Sequence, residues 1–217
     1  MKDSGKSVYN IRHDFEKSSL NEIEIEQLPS LQFEKWLNDS VNSNIPEVMA
    51  MTLSTVNSQG KPSGRILYLR EFGDDKYAFF TNYQSRKAND LIQNPNACLT
   101  FFWRELERQI RIEGSVEFHS KEASDKYFHS RPHHSKIGAW SSPQSKVLKN
   151  REELEDLVTE FDKRYAKEDV PRPEYWGGYI LKANYYEFWQ GRKSRLHDRI
   201  AYTLTENKTW KIERLAP

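Results

Sequence analysis

Between residues 49 and 81 the chain has room for antiparallel strands and little else. Met49, Met51 and Leu53 alternate with Ala50, Thr52 and Ser54, the period-two pattern of a strand with one buried face. Ser58-Gln59-Gly60 turns the chain and the stretch from Arg65 to Phe72 runs back. Gly73-Asp74-Asp75 then turns it again into Tyr77 to Thr81. Parallel neighbours need a crossover of about a dozen residues, which such turns exclude. Upstream, a helix begins at Pro29-Ser30, with Ser30 as its N-cap and Phe33, Trp36, Leu37 and Val41 on one face. Downstream, a helix over 86–93 precedes strands near 97–103 and 108–118. Ser120 caps a helix that runs to Ser130 and that Pro132 ends. Asn150 with Glu153 makes a capping box ahead of the stripe Leu154, Leu157, Val158, Phe161 and Tyr165. The tail returns to strand over 178–181, 186–190, 196–203 and 210–214. Roughly six to eight strands with helices between them predict an α+β fold, an antiparallel barrel or strongly bent sheet with peripheral helices. The βαβ rhythm of a doubly wound fold is missing.

Composition narrows the function. Among 217 residues, Lys and Arg number 33 against 32 Asp and Glu, so the formal net charge is +1. That balance argues against nucleic acid as the partner. No apolar run approaches the ~20 residues of a membrane span, so a membrane is not expected either. Apolar residues are a thin 36%, yet aromatics reach 13%, far too many for a disordered chain. One polar domain over 11–217 is expected, preceded by a loose, flexible arm over 1–10 and completing its core or its site by self-association. The single cysteine, Cys98, reads as a small buried hydrophobe. With no intrachain disulfide and no apolar leader at the N-terminus, the expected compartment is the cytoplasm.

The familiar phosphate and nucleophile motifs (G-x-G-x-x-G, G-x-x-x-x-G-K-[ST], G-x-S-x-G) are absent, so side chains must hold any phosphate. His129 and His133 have a ligand spacing, but Pro132 breaks the helix between them. They read as solvated histidines, and no metal site is expected. Phe79-Phe80-Thr81-Asn82-Tyr83-Gln84-Ser85-Arg86-Lys87 says more, because it puts two adjacent cations at a helix start, against the helix dipole. An anion gripped by free N–H groups, Ser85, Arg86 and Lys87 resolves the conflict. A solvated basic turn is the other reading. Taken as a strand, Arg195-Leu196-His197-Asp198-Arg199 sets Arg195, His197 and Arg199 on one face, either facing an anion or solvated, with Trp189 as a flat wall nearby. Tyr127 and Arg131 share a helix face, and Ser135 can turn back toward them past Pro132 as a phosphate clamp. Arg65 precedes the apolar run 66–69, which is expected to be buried, and stands on the opposite strand face from Arg70.

Taken together, these residues resemble the pyridoxamine (pyridoxine) 5′-phosphate oxidase family over essentially the whole chain, from Arg12 to Pro217. The matches are Thr81 with Ser85-Arg86-Lys87-Ala88, Glu107-Arg108-Gln109, Tyr127-Phe128-His129-Ser130-Arg131-Pro132 and Ile137-Gly138-Ala139-Trp140. They continue with Gln144-Ser145, Trp176-Gly177-Gly178, Glu187-Phe188-Trp189-Gln190-Gly191, Arg195 to Arg199 and the terminal Arg214-Leu215-Ala216-Pro217. The resemblance implies a split β-barrel homodimer with FMN at the subunit interface. It also implies oxidation of pyridoxamine or pyridoxine 5′-phosphate to pyridoxal 5′-phosphate, with O2 reduced to H2O2. By the same resemblance Arg65, Arg86, Lys87 and Ser145 contact the FMN phosphate or ribityl chain. Ile66, Leu67, Tyr68, Leu69, Arg70, Phe80, Thr81, Gln109, Gln144, Trp189 and Arg199 complete the flavin site. Tyr127, Arg131 and Ser135 clamp the substrate phosphate, Arg70 and Leu196 lie on the substrate side, and Arg12 belongs to an N-terminal lid. Arg195 and His197 sit over the pyridine ring near its 4′-carbon as the catalytic pair. Two positions depart from the family: Arg70 replaces a more frequent Lys, and Phe15 a common Tyr. A non-catalytic flavin- or pyridoxal-phosphate-binding barrel is the competing reading, and the presence of both Arg195 and His197 favours the enzyme.

Overall fold

In the computed structural model, which describes residues 14–217, the two turns at 58–60 and 73–75 join antiparallel strands as their composition predicts. The strands are β1 (Ala50–Val56), β2 (Pro62–Tyr68), β3 (Glu71–Gly73), β4 (Lys76–Asn82), β5 (Asn96–Trp103), β6 (Arg108–Phe118), β7 (Trp176–Gln190), β8 (Asp198–Leu204) and β9 (Trp210–Arg214). The helices are α1 (Pro29–Asn42), α2 (Arg86–Gln93), α3 (Lys121–Ser130), α4 (His133–Ser141) and α5 (Arg151–Arg164). The sheet runs β2-β1-β5-β6-β7-β4-β3, with β8 added on β7 and β9 on β8. Leu69 N donates to Met49 O and Arg70 N to Ala78 O, each at 2.9 Å. The passage from β2 to β3 therefore touches β1 on one side and β4 on the other, and the sheet curls until its edges meet. The fold is an antiparallel split β-barrel of the α+β class.

The 15-residue β7 organises this barrel. One edge pairs with β6, while the other pairs first with β4 and then with β8. A bulge between Glu113 and Gly114 lets the long β6–β7 ladder bend. Gly114 is required there, because a Cβ would lie 2.0 Å from the Lys182 carbonyl oxygen. Leu53, Phe79, Leu99, Ile110, Ile112, Leu181 and Phe188 fill the interior. From α1, Phe33 seats its ring against Phe72, Tyr77 and Phe101. A second cluster, Phe128, Ile137, Ala139, Tyr165, Val170 and Trp176, packs α3, α4 and α5 onto the start of β7.

Several local expectations change. Pro29 takes the first position of α1 and Leu28 is its uncapped N-cap, so Ser30 lies inside the first turn. Ser120 does cap α3, accepting from Ala123 N, and Asn150 Oδ1 accepts from Glu153 N at the start of α5. The α5 stripe is shallower than its pattern suggests, since Tyr165 is buried but Val158 is exposed. The segments 178–181 and 186–190 are one strand, and the return from Arg65 breaks at Leu69–Arg70 into β2 and β3. Of the run 66–69 only Leu69 is buried. Ile66 is 63% and Tyr68 40% exposed, because β2 shows its outer face to solvent. Cys98 points to the same outer side and is half-buried. The arm over 1–10 and the lid residue Arg12 lie outside the described residues. Among those described, no helix is long and apolar enough to cross a membrane.

Candidate active site

The first part of the site forms where β4 ends and α2 begins. Ser85 is the N-cap of α2, and Lys87 folds back under that helix start. Its ammonium donates to Thr81 Oγ1 and Ser85 Oγ at 3.1 Å and to Gln144 Oε1 at 2.7 Å. All three are neutral oxygens. Burial, reinforced by the positive charge of Arg65, lowers the Lys87 pKa to about 8. Arg65 is fixed from β2 through Nη1 to Leu53 O and Thr55 Oγ1, and through Nη2 to Ser63 Oγ. Behind it, Thr55 Oγ1 donates to the buried Asp90 carboxylate at 2.8 Å. Arg86 is exposed beside them, and its N–H donates to Ser145 Oγ at 3.2 Å. Three cations thus gather at a helix N-terminus, and of them Arg65 has the buried Asp90 carboxylate 3.9 Å away. The donor set suits a phosphate and agrees with the anion reading of Ser85, Arg86 and Lys87.

Thr81 and Gln144, which accept from Lys87, also line a cleft of about 490 Å3, whose other walls are Ile66, Leu67, Tyr68, Arg70, Phe80, Tyr127, Ser130, Arg131, Pro132, Ser135 and Trp176. The Phe80 ring stacks on Tyr127 at 4.1 Å and on Trp176 at 5.8 Å, giving the cleft an aromatic wall. Arg131 lies over Trp176 with its guanidinium carbon 4.5 Å from the ring centroid. Its Nη1 is buried and has no hydrogen-bond partner among the described residues. Burial lowers the Arg131 pKa, and the Arg70 charge acts in the same direction. An unpaired buried guanidinium nitrogen beside a second arginine is a donor set that a second anion would fit. Pro132 does more than stop α3: it starts α4, which delivers Ser135 to the cleft beside Tyr127 and Arg131. Ser130, Pro132 and Trp176 also line the cleft, although the sequence assigns them no binding role.

The remaining candidates gather elsewhere. Register places Gln109 opposite Trp189 and Trp189 opposite Arg199. The Trp189 and His197 rings lie 4.6 Å apart, and Phe15 packs its ring 5.5 Å from each. His197 Nδ1 accepts from Arg192 N at 3.1 Å, which leaves the ring proton on Nε2. Burial lowers the His197 pKa, and the charge of Arg195 lowers it further. Arg195 and His197 are not on a strand. Lys193–Arg195 is a 3-10 turn with Ser194 and Arg195 at φ 56° and 62°, and β8 starts only at Asp198. The shared strand face expected for Arg195, His197 and Arg199 therefore does not exist, and Leu196 projects into solvent. His129 and His133 sit on different helices, and among the described residues no group of three or more His, Cys, Asp or Glu could hold a metal ion.

A single chain does not unite these parts. Phe80 pairs with Gly178 near the start of β7, and Trp189 stands near its end. That separation is about 36 Å along an extended strand at ~3.3 Å per residue. Between them the outer face of the sheet carries the row Ile66, Thr52, Thr100, Arg111, Glu187 and Ala201. Exposed Ile66, Tyr68 and Phe102 lie on this face, the kind of apolar surface that marks an interface.

These features define a split-barrel protein with an aromatic, arginine-lined cleft and an exposed apolar sheet face. The fold is shared with a pyridoxamine 5′-phosphate oxidase-related, FMN-binding protein of Nostoc punctiforme, at TM-score 0.70 and 18% identity over 89% of this chain and all of that one. PhzG of Burkholderia lata, solved with tetrahydrophenazine-1-carboxylic acid, superposes with TM-score 0.85 and 29% identity over 90% of this chain and 95% of PhzG. Residues 37–165 match the pyridoxamine 5′-phosphate oxidase family, and residues 176–217 match the pyridoxine 5′-phosphate oxidase C-terminal dimerisation region. The pyridoxine/pyridoxamine 5′-phosphate oxidase of Nostoc punctiforme is 48% identical over 98% of this chain and 99% of its own length. That of Bordetella pertussis is 50% identical over 97% of this chain and 100% of its own length. The chain belongs to the pyridoxamine 5′-phosphate oxidase family, a family of oxidase enzymes.

Proposed function

We propose that this protein is an FMN-dependent oxidase that converts pyridoxamine 5′-phosphate and pyridoxine 5′-phosphate to pyridoxal 5′-phosphate, with O2 as acceptor and H2O2 as product. It works in the cytoplasm as a homodimer whose two sites each draw on both chains. The observation that carries the reading is two unneutralised cations at one aromatic cleft: Lys87, which donates to the lining residues Thr81 and Gln144, and Arg131, whose Nη1 has no partner among the described residues and lies beside Arg70. Two phosphates anchored around stacked rings are what a flavin mononucleotide and a phosphorylated pyridine would present together.

When bound, FMN supplies the hydride acceptor, which O2 then reoxidises. The chain's own work is to bind and orient. Arg65, Arg86, Lys87 and Ser145 hold the cofactor phosphate, and residues 66–69 with Phe80, Thr81 and Gln144 flank its ribityl chain and ring. Tyr127, Arg131, Ser135 and Arg70 fix the substrate phosphate. Trp189, Arg195, His197 and Arg199, which lie in the dimerisation region, come from the second copy together with Gln109, the β6 neighbour of Trp189. His197 accepts from Arg192 through Nδ1 and is held toward the neutral form, so it offers Nε2–H to the substrate near the 4′-carbon. Arg195 and His197 thus position and polarise the ring, and Phe15 shields it from water. Double anchoring of this kind sets the close approach that hydride transfer requires.

Oxygen uptake on addition of pyridoxamine 5′-phosphate tests the proposal. Substrate-dependent peroxide is expected, and a yellow protein that makes none would overturn it. FMN affinity should also depend on pH with a definite sign. Lys87 loses its proton near pH 8 in the ligand-free protein, and a bound phosphate dianion raises that pKa. Binding therefore takes up a proton above pH 8, so affinity should be flat below that point and fall by up to about tenfold per pH unit above it. Flavin-fluorescence titrations from pH 7 to 9.5 check this, and rising affinity across that range would contradict it.

A further inference from the structure

Glu187 faces the outer side of the sheet, where solvent would be expected, yet it is only 3% exposed. Its Oε1 accepts from Arg199 Nε at 2.9 Å. Its Oε2 accepts from Arg199 Nη2 at 3.1 Å, Arg111 Nη1 at 3.2 Å and Tyr185 Oη at 3.3 Å. Arg111 is its direct neighbour on β6, and Ala201 opposite it on β8 leaves room for the Arg199 fork to reach across diagonally. Arg199 Nη1 donates to Ala216 O at 2.7 Å, and Leu215 N donates to Arg199 O at 2.9 Å. The fork of Arg199 is thus fixed on two sides by its own chain, with one N–H of Nη1 and one of Nη2 left over. One buried carboxylate separates two guanidiniums that repel each other.

We infer that Glu187 is a positioning residue for the flavin: it orients Arg199 through a bidentate grip, and the carboxy-terminal tail holds that arginine from the other side. The inference rests on the FMN reading above and goes beyond it, because Glu187 acts through Arg199 and not by touching the cofactor. A glutamine accepts through one oxygen only and turns an NH2 group toward the fork, so Glu187→Gln releases Arg199 while keeping the side chain's shape.

The test is a double-mutant cycle read as FMN released from holoenzyme on dilution, followed by free-flavin fluorescence. Glu187→Gln should weaken FMN retention about tenfold or more. In an Arg199→Ala background the same change should add nothing. A full Glu187→Gln effect that persists without Arg199, or no effect with Arg199 present, would overturn the inference. Deletion of residues 216–217 supplies an independent cycle should Glu187→Gln fail to fold, judged by circular dichroism. It too should weaken retention only when Arg199 is present, and an equal loss without Arg199 would count against the role. If wild-type protein binds no FMN, the proposed function itself fails, an outcome distinct from either of these.

Discussion

Arg131→Met should lower kcat/KM for pyridoxamine 5′-phosphate by about a hundredfold to a thousandfold while FMN stays bound. Arg131 stands over Trp176 with a buried Nη1 that no described residue satisfies. A substrate phosphate would complete it with charge-assisted hydrogen bonds worth ~1.5–3 kcal/mol each. Two such bonds from the lower part of that range, ~3–4 kcal/mol together, correspond to the expected loss at about 1.4 kcal/mol per tenfold. Methionine keeps apolar contact with Trp176 and Phe128. It also removes a guanidinium that burial and Arg70 both disfavour in the ligand-free protein. Thermal stability without ligand should therefore hold or rise, since an uncompensated buried charge is destabilising. Steady-state kinetics and a melting curve on one preparation check both halves. Flavin loss would move Arg131 out of the substrate clamp, and unchanged kinetics would remove it from the site.

Lys87→Met should weaken FMN binding by about a hundredfold, or ~2.7 kcal/mol, the scale of one buried charged hydrogen bond. Lys87 is nine-tenths covered and donates to Thr81, Ser85 and Gln144, none of which neutralises it. A phosphate would supply the missing negative charge. The variant should also lose the decline in affinity above pH 8, because that decline belongs to the Lys87 proton. A titration at pH 7 and pH 9 reads both effects. A variant that binds weakly yet keeps the wild-type pH slope would show that another group titrates there.

Local signals in the chain proved the most legible. The turns at 58–60 and 73–75, the Ser120 and Asn150 caps and the start of α2 at Arg86 each depend on neighbouring residues alone, and each appears in the structure. What depends on distant chain was harder to see. Pro132 ends one helix and starts another, and its pattern does not distinguish the two roles. The left-handed Ser194 and Arg195 lift Arg195 and His197 off the strand that alternation suggests, although neither residue type favours positive φ. Ile66 and Tyr68 read as core because apolar residues normally are, while β2 in fact turns them outward on the open face. Glu187 carried a usable signal: a lone carboxylate among Tyr186, Phe188 and Trp189 must find cations if it is buried. Arg111 and Arg199 answer that need, but only the strand register brings them together.

The central claim is that a flavin and a phosphorylated pyridine share one cleft and exchange a hydride there. Its most direct test is the visible spectrum of purified protein under anaerobic conditions, before and after pyridoxamine 5′-phosphate is added. The flavin band near the blue end should be present at the outset, bleach on addition of substrate, and return when air is admitted. A flavin band that substrate leaves unchanged, with Arg195 and His197 intact, would contradict the account.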